Sequence, residues 1–414
     1  MNNRVECRIT PNSSVIAASA TLSRTSGKHQ ERRNKQAGDA PALLEQHEFR
    51  SGFSRGEQTV KMSRAMRWLR KTVWAGLSLT CIQGMCISAQ ASPLPMVLIN
   101  VSGAESSENV FPGQNGTHYF FPSDGYFARW KSKGIRTVRF PVKWERLQPV
   151  LGGGLDATYA GLIDKMLVQA NRQGIGVILD VHNYARYRQH VIGSRQVSVD
   201  HYRQLMQRIA ERWHAAPALY AYDLMNEPHD DSDASWPLAA QAGIDAIRKI
   251  DRKRLIIVEG RSWSSAERWP QYNDALLALK DPANNIVFSA HLYMDVNGSG
   301  VYKDPKGTPI DPDIGVRRVK PFIEWLQKNG RRGQIGEMGF PDDDPRWNEA
   351  ADRLLGYLRK HCVPVAYWTS GESWGREPMN LEPVDGHDRP QWAVLSKYLE
   401  APGCDDYGPR PARH

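Results

Sequence analysis

A (β/α)8 barrel is the fold class that three features of the sequence predict. Between residues 96 and 399, short apolar runs alternate with helically spaced stretches, eight times over. Most of the apolar runs lead directly into a polar or aromatic residue, as expected where strand ends carry a site. No Gly-rich phosphate loop opens the series, which counts against a doubly wound open sheet, the other fold with this alternation.

The elements follow in order. Residues 96–100 form the first apolar strand, and a Gly- and Asn-rich loop runs on to residue 121. A helix over 124–133 stops at Gly134. The second strand, 137–140, carries Arg139 and is expected to stop at Pro141. A helix over 159–173 ends at Gly174, and the β-rich strand 176–181 leads into His182 and Asn183. The third helix, 200–214, takes Asp200 as its expected N-cap. Strand 219–224 delivers Asn226 and Glu227, and helix 236–250 follows. The fifth strand, 255–258, leads into Glu259 and a short helix at 273–279. The sixth, 286–290, delivers His291 and Tyr293, and helix 315–328 closes at Gly330. The seventh, 333–335, delivers Glu337 before helix 347–360. Strand 363–368 ends on Trp368, and helix 391–399 completes the series. No linker, repeat or low-complexity stretch interrupts residues 92–414, so they are expected to form one domain.

The formal charge of +9 is unevenly spread. Residues 1–91 hold 14 Lys/Arg and 6 Asp/Glu, while the remainder is nearly balanced with 40 and 39. The barrel region therefore lacks a polyanion-binding signature, and no nucleic-acid partner is expected. Residues 62–91 read as a secretory signal peptide. A basic run from Arg64 to Lys71 precedes an apolar stretch to Ile87, and Ala89-Gln90-Ala91 supplies a cleavage site. Residues 1–61 are polar and aperiodic, and are expected to come from a misassigned upstream start. A signal-anchor with a disordered tail is the competing reading. The product is expected to be extracellular and monomeric, with no stable membrane association after cleavage. Of five cysteines, only Cys362 and Cys404 lie beyond the leader, and both fall at the bottom of a barrel, where a disulfide is expected.

Glu227 and Glu337 each lie just past a buried strand. Two carboxylates placed so can protonate a glycosidic oxygen and attack the sugar. Leu224-Met225-Asn226-Glu227-Pro228-His229, Ile335-Gly336-Glu337, Asp180-Val181-His182-Asn183, His291-Leu292-Tyr293 and Val138-Arg139-Phe140-Pro141 together resemble glycoside hydrolase family five, the retaining cellulases. The runs 178–187 and 280–285 resemble its endoglucanase branch. The resemblance implies Glu227 as acid/base and Glu337 as nucleophile. Arg139 is then the cation expected to lower the pKa of Glu337, and Tyr293 a hydrogen-bond donor to it. The charge on Glu337 favours the protonated form of Glu227. Asn226 would bond the sugar 2-hydroxyl, and His182 and His291 would position sugar and carboxylates. Trp368 would present a flat face to a glucose ring.

Tyr184, Trp144, Trp263 and Trp374 fall on loops at the same end and are expected to extend the site into a cleft for a polymer. The implied activity is endo-β-1,4-glucan hydrolysis, with mannan, xylan or xyloglucan as alternative substrates and a non-catalytic glycan-binding barrel as the alternative outside enzymology. No cofactor is implied, and the Cys/His spacing holds no zinc pattern. Gly371-Glu372-Ser373-Trp374-Gly375 matches a nucleophile elbow in letters only, because Arg376-Glu377-Pro378 follows where a helix is required.

Overall fold

The structure, a computed structural model, describes residues 93–305 and 307–409. The leader at 62–91 and the extension before it lie outside the described residues. Among the described residues eight parallel strands close into a barrel. They are β1 Val97–Val101, β2 Thr137–Val142, β3 Gly176–Val181, β4 Leu219–Asp223, β5 Leu255–Glu259, β6 Ile286–His291, β7 Gly333–Met338 and β8 Val365–Ser370. β8 pairs with β1, and β1 with β2, which completes the ring.

Several strands run further at their carboxyl ends than the apolar runs suggest. Glu259, His291 and Glu337 are residues of the sheet, with His291 in register with Glu337. Pro141 also lies inside β2, in register with Asp180, and does not stop it. The missing proline N–H removes one donor only, and the carbonyl of Val142 beyond it still accepts from His182 N–H at 2.9 Å.

Helices α1 Tyr126–Ser132, α2 Ala157–Arg172, α3 Val199–Trp213, α4 Trp236–Arg248, α5 Trp269–Tyr272, α6 Ile314–Asn329, α7 Arg346–Lys360 and α8 Pro390–Leu395 follow the strands in turn. In α3 the buried residues are Tyr202, Leu205, Met206, Ile209, Ala210 and Trp213, one face at helical spacing. Its cap is Ser198 and not Asp200. The Ser198 hydroxyl accepts from His201 N–H, and Ser198 N–H donates to His201 Nδ1, both at 3.2 Å. That reciprocal pair satisfies two groups, whereas Asp200 already lies inside the first turn. Gly330 ends α6 with φ 58°, the left-handed turn that glycine makes without a Cβ penalty.

The barrel interior is layered by the two-residue period of its strands. Leu98, Ile178, Ala221, Ile257, Val287 and Ala366 belong to one buried apolar cluster. Two residues further along five of these strands stand Asn100, Asp180, Asp223, Glu259 and Ser289, buried and polar. An apolar floor thus supports a polar layer beneath the barrel mouth. At the other end Cys362 and Cys404 are disulfide-bonded, with Cα atoms 5.4 Å apart. No helix among the described residues is long and apolar enough to cross a membrane.

Candidate active site

Arg139 organises the polar layer. Its side chain is fully buried, a position a guanidinium tolerates only when its donors are matched. Nε donates to Asp223 Oδ2 at 2.8 Å. Nη1 donates to Asn100 Oδ1 and to Glu337 Oε1, both at 2.9 Å. Nη2 reaches Asn226 Oδ1 at 2.9 Å, Glu259 Oε1 at 2.8 Å and Asp180 Oδ2 at 3.0 Å. Four carboxyl groups round one cation cannot all be ionised. Burial pushes Asp223 well above its ordinary range and Asp180 up to about 8, against the pull of Arg139. Each also leaves one buried oxygen without a partner, the place for a carboxyl proton. We therefore assign the protons to Asp180 and Asp223 and the negative charges to Glu259 and Glu337.

Glu227 and Glu337 meet above this layer. One oxygen of each, together with a ring nitrogen of His291, lie within 4.8 Å of one another. His291 Nδ1 is 2.7 Å from Glu227 Oε1 and 3.6 Å from Glu337 Oε2, and Nε2 is 3.0 Å from Glu259 Oε1. Both ring nitrogens are thus engaged with carboxylates. Tyr293 donates its hydroxyl to Glu337 Oε2 at 2.8 Å. Glu337 is 6% exposed at its side chain and Glu227 16%, so Glu227 stands nearer the solvent. Room for His291 depends on Gly336, where a Cβ would strike Ser289 Oγ at 2.3 Å and crowd the imidazole at 3.1 Å.

The direction in which the pKa of Glu337 moves differs from the sequence expectation. Burial raises its pKa, and although the His291 and Arg139 cations oppose this, the net direction is upward, with the charge of Glu227 adding to it. Arg139 does pull downward as expected, but desolvation is larger. Burial alone would lower His291. The Glu259 and Glu337 charges and the hydrogen bonds to Glu227 and Glu259 outweigh it and hold the imidazole well above its ordinary value.

The remaining candidates surround this centre. His182 lies with Nδ1 2.7 Å from Asp180 Oδ2, and burial lowers it to about 4, so its ring is neutral. Trp368 is half-buried and stacks on His182 at 5.6 Å and 17°. Trp374 meets Trp368 edge-on and donates Nε1–H to Ser102 Oγ at 3.0 Å. Trp263 is 40% exposed, with its ring 4.5 Å from His229 and nearly parallel to it. Tyr184 is half-buried beside His182 and His229. Cavities of about 290 Å³ and 560 Å³ open nearby, the first lined by Glu227, Trp263 and Tyr293, the second by Lys143, Tyr184 and His229.

Asn183 lines the second of these cavities, although its amide also ties loops together, accepting from Trp144 N–H at 2.7 Å and donating to Glu145 Oε2 at 2.7 Å. One expected rim residue does not face the cleft. Trp144 is fully buried, packed against the rings of Tyr187 and Tyr202, and belongs to the core instead of the rim. The stretch with elbow lettering forms a single 3-10 turn, Glu372–Trp374, beyond β8. Asp223 and Asn100 went unnoticed in the sequence, although a charged or amide residue closing an apolar strand was the available signal.

A family model described as Cellulase (glycosyl hydrolase family 5) matches residues 99–373. The chain belongs to glycosyl hydrolase family 5. Curated relatives include endo-beta-1,4-glucanase A of Emericella nidulans, 31% identical over 292 residues, covering 69% of this chain and 86% of that protein. Endoglucanase 3 of Humicola insolens is 30% identical, covering 73% of this chain and 76% of that protein. Among solved structures, Pseudomonas stutzeri endoglucanase Cel5A in complex with cellobiose superimposes with a TM-score of 0.75 at 44% identity, covering 78% of this chain and 99% of that one. An endo-beta-1,4-glucanase from Xanthomonas axonopodis pv. citri gives 0.69 at 35% identity, covering 74% and 98%. Membership of the family and the closed barrel agree with what the motifs implied.

Proposed function

We propose that the protein is a secreted, monomeric endo-β-1,4-glucanase that works by retaining double displacement. One observation carries the retaining mechanism: an oxygen of Glu227 and one of Glu337 lie within 4.8 Å of each other at the mouth of the barrel. Retaining glycosidases keep their carboxyl groups about 5–5.5 Å apart, whereas inverting ones need about 6.5–9.5 Å to seat a water. Glu337 attacks the anomeric carbon while Glu227 gives its proton to the leaving oxygen, and a covalent glycosyl-enzyme forms. That ester removes the charge of Glu337, so Glu227 is free to act as base and take a proton from the incoming water. Asn226 is held by Arg139 Nη2 at 2.9 Å, which orients its amide for the sugar 2-hydroxyl. His182, Tyr184, Trp368, Trp374 and Trp263 line the path of the chain. Two cavities near the site, one bordered by Glu227 and the other by Tyr184 and His229, suit a polymer longer than one sugar, and so an endo mode of attack.

Residues 62–91 act as the leader in this reading, and N-terminal sequencing of the extracellular product should start near Ser92. The decisive assay is product analysis on carboxymethylcellulose, mixed-linkage β-glucan, mannan, xylan and xyloglucan. Rapid loss of viscosity and short β-1,4-glucan oligomers, released first as the β-anomer, are expected from the first two polymers. Release of the α-anomer would reject the retaining mechanism, and cleavage of mannan or xylan in preference would reject the substrate.

A further inference from the structure

Glu259 has no part in the double displacement outlined above, yet it touches three components of it. Its Oε2 accepts from the backbone N–H of Glu227 at 2.7 Å. Its Oε1 is 3.0 Å from His291 Nε2 and 2.8 Å from Arg139 Nη2. The Glu227 backbone has φ 43°, in the left-handed region, where a residue other than glycine stays only if its surroundings hold it. Besides the His229 ring on its carbonyl at 2.8 Å, Glu227 has two contacts, the N–H one and the one through His291, and both converge on Glu259.

We propose that Glu259 is a positioning residue for the acid/base step, fixing the backbone of Glu227 and keeping His291 in the form that donates to the Glu227 carboxyl. The inference rests on the reading of Glu227 as acid/base. The groups facing His291 are Glu227 beyond β4, Glu259 at the end of β5 and Glu337 on β7, with Asp180 and Arg139 in the layer below. With Glu259 ionised, Nε2–H is spent on Glu259 and Nδ1–H is directed at Glu227 Oε1. The acidic proton of Glu227 must then sit on Oε2, the oxygen that His291 does not hold. After that proton passes to the leaving group, the imidazolium beside Glu227 offsets the new carboxylate until water returns a proton to it. Glu259 itself is buried with no exposure and never meets the sugar.

Glu259→Gln tests this with little change of shape. The amide oxygen still accepts from Glu227 N–H, but the charge beside His291 and Arg139 is gone. On cellopentaose, whose leaving group needs a proton, kcat/KM should fall on the order of 10²-fold. On 2,4-dinitrophenyl cellobioside, whose leaving group departs unassisted, the loss should stay within about threefold. KM should hold on both, and the basic limb of the pH profile should move to lower pH. Equal losses on both substrates with an unmoved basic limb would reduce Glu259 to a packing residue and overturn the proposal. A second readout needs neither the variant nor turnover: imidazole 15N shifts of His291 in the unmutated enzyme should report both nitrogens protonated at neutral pH. A neutral His291 at pH 6 would overturn the proposal even if the variant failed to fold. Failure of the unmutated enzyme to cut cellopentaose would instead reject the function proposed above.

Discussion

Replacing Glu337 by Gln should lower kcat/KM on a soluble β-1,4-glucan by on the order of 10⁴-fold or more, about 5.5 kcal/mol of transition-state stabilisation. Gln has nearly the same shape, so the binding surfaces of the cleft survive, but its amide cannot form the glycosyl ester. Arg139 Nη1 would still find the amide oxygen, since Asn100 Oδ1 shares that donor at 2.9 Å. The fold should therefore persist with substrate affinity close to normal, which equilibrium binding of cellopentaose would show. A variant that kept more than about a tenth of wild-type turnover would remove Glu337 from the nucleophile role. The same residue sets the acid side of the pH profile. It must be ionised to attack, and burial holds its pKa above the ordinary 4.5. Activity should therefore decline on acidification from a pH higher than that of a solvent-exposed glutamate. An acid limb at or below 4.5 would mean that the cations of His291 and Arg139 outweigh desolvation.

The barrel was legible because its strands are buried on both faces and read as unbroken apolar runs, and because the residues beyond them are out of place in such runs. Glu227, Glu337, Arg139, His291 and Tyr293 each announced themselves as polar groups closing a hydrophobic strand, and ring closure brings them together. What failed were decisions settled by contacts from distant parts of the chain. Trp144 looks like a rim residue in sequence, but Tyr187 from the stretch after β3 and Tyr202 from α3 close over it. Ser198 and Asp200 are both acceptable caps, and the geometry of His201 chose between them. Pro141 normally ends a strand, yet here the pairing beyond it goes on. The direction of the Glu337 pKa shift was misjudged for the same reason: an arginine can be found by reading, whereas the depth at which it and the glutamate are buried cannot. Asp180 and Asp223 look like ordinary solvated acids until closure places both against one guanidinium.

Replacing Glu227 by Ala should separate the two halves of the reaction. The first half needs an acid only when the leaving group is poor, so kcat/KM on cellopentaose should fall by about 10²–10⁴-fold while the first turnover of 2,4-dinitrophenyl cellobioside remains fast. The second half needs a base to activate water whatever the leaving group was. The glycosyl-enzyme on Glu337 should therefore accumulate, seen as a burst of dinitrophenolate matched to the enzyme concentration. Glu227 is 16% exposed and borders a cavity of about 290 Å³, so removing its side chain opens space next to the ester. Azide, a nucleophile that needs no base, should enter that space and restore turnover, giving the β-glycosyl azide. A product of α configuration would mean that azide attacked the substrate directly from the face opposite the leaving group, with no intermediate on Glu337. His291 would lose the partner of its Nδ1 in this variant but keep Glu259 on Nε2 and Glu337 at 3.6 Å, so the centre should stay assembled. Azide rescue with retained configuration therefore requires a nucleophile on one side of the sugar and a separate acid/base on the other, the arrangement in which Glu337 and Glu227 stand.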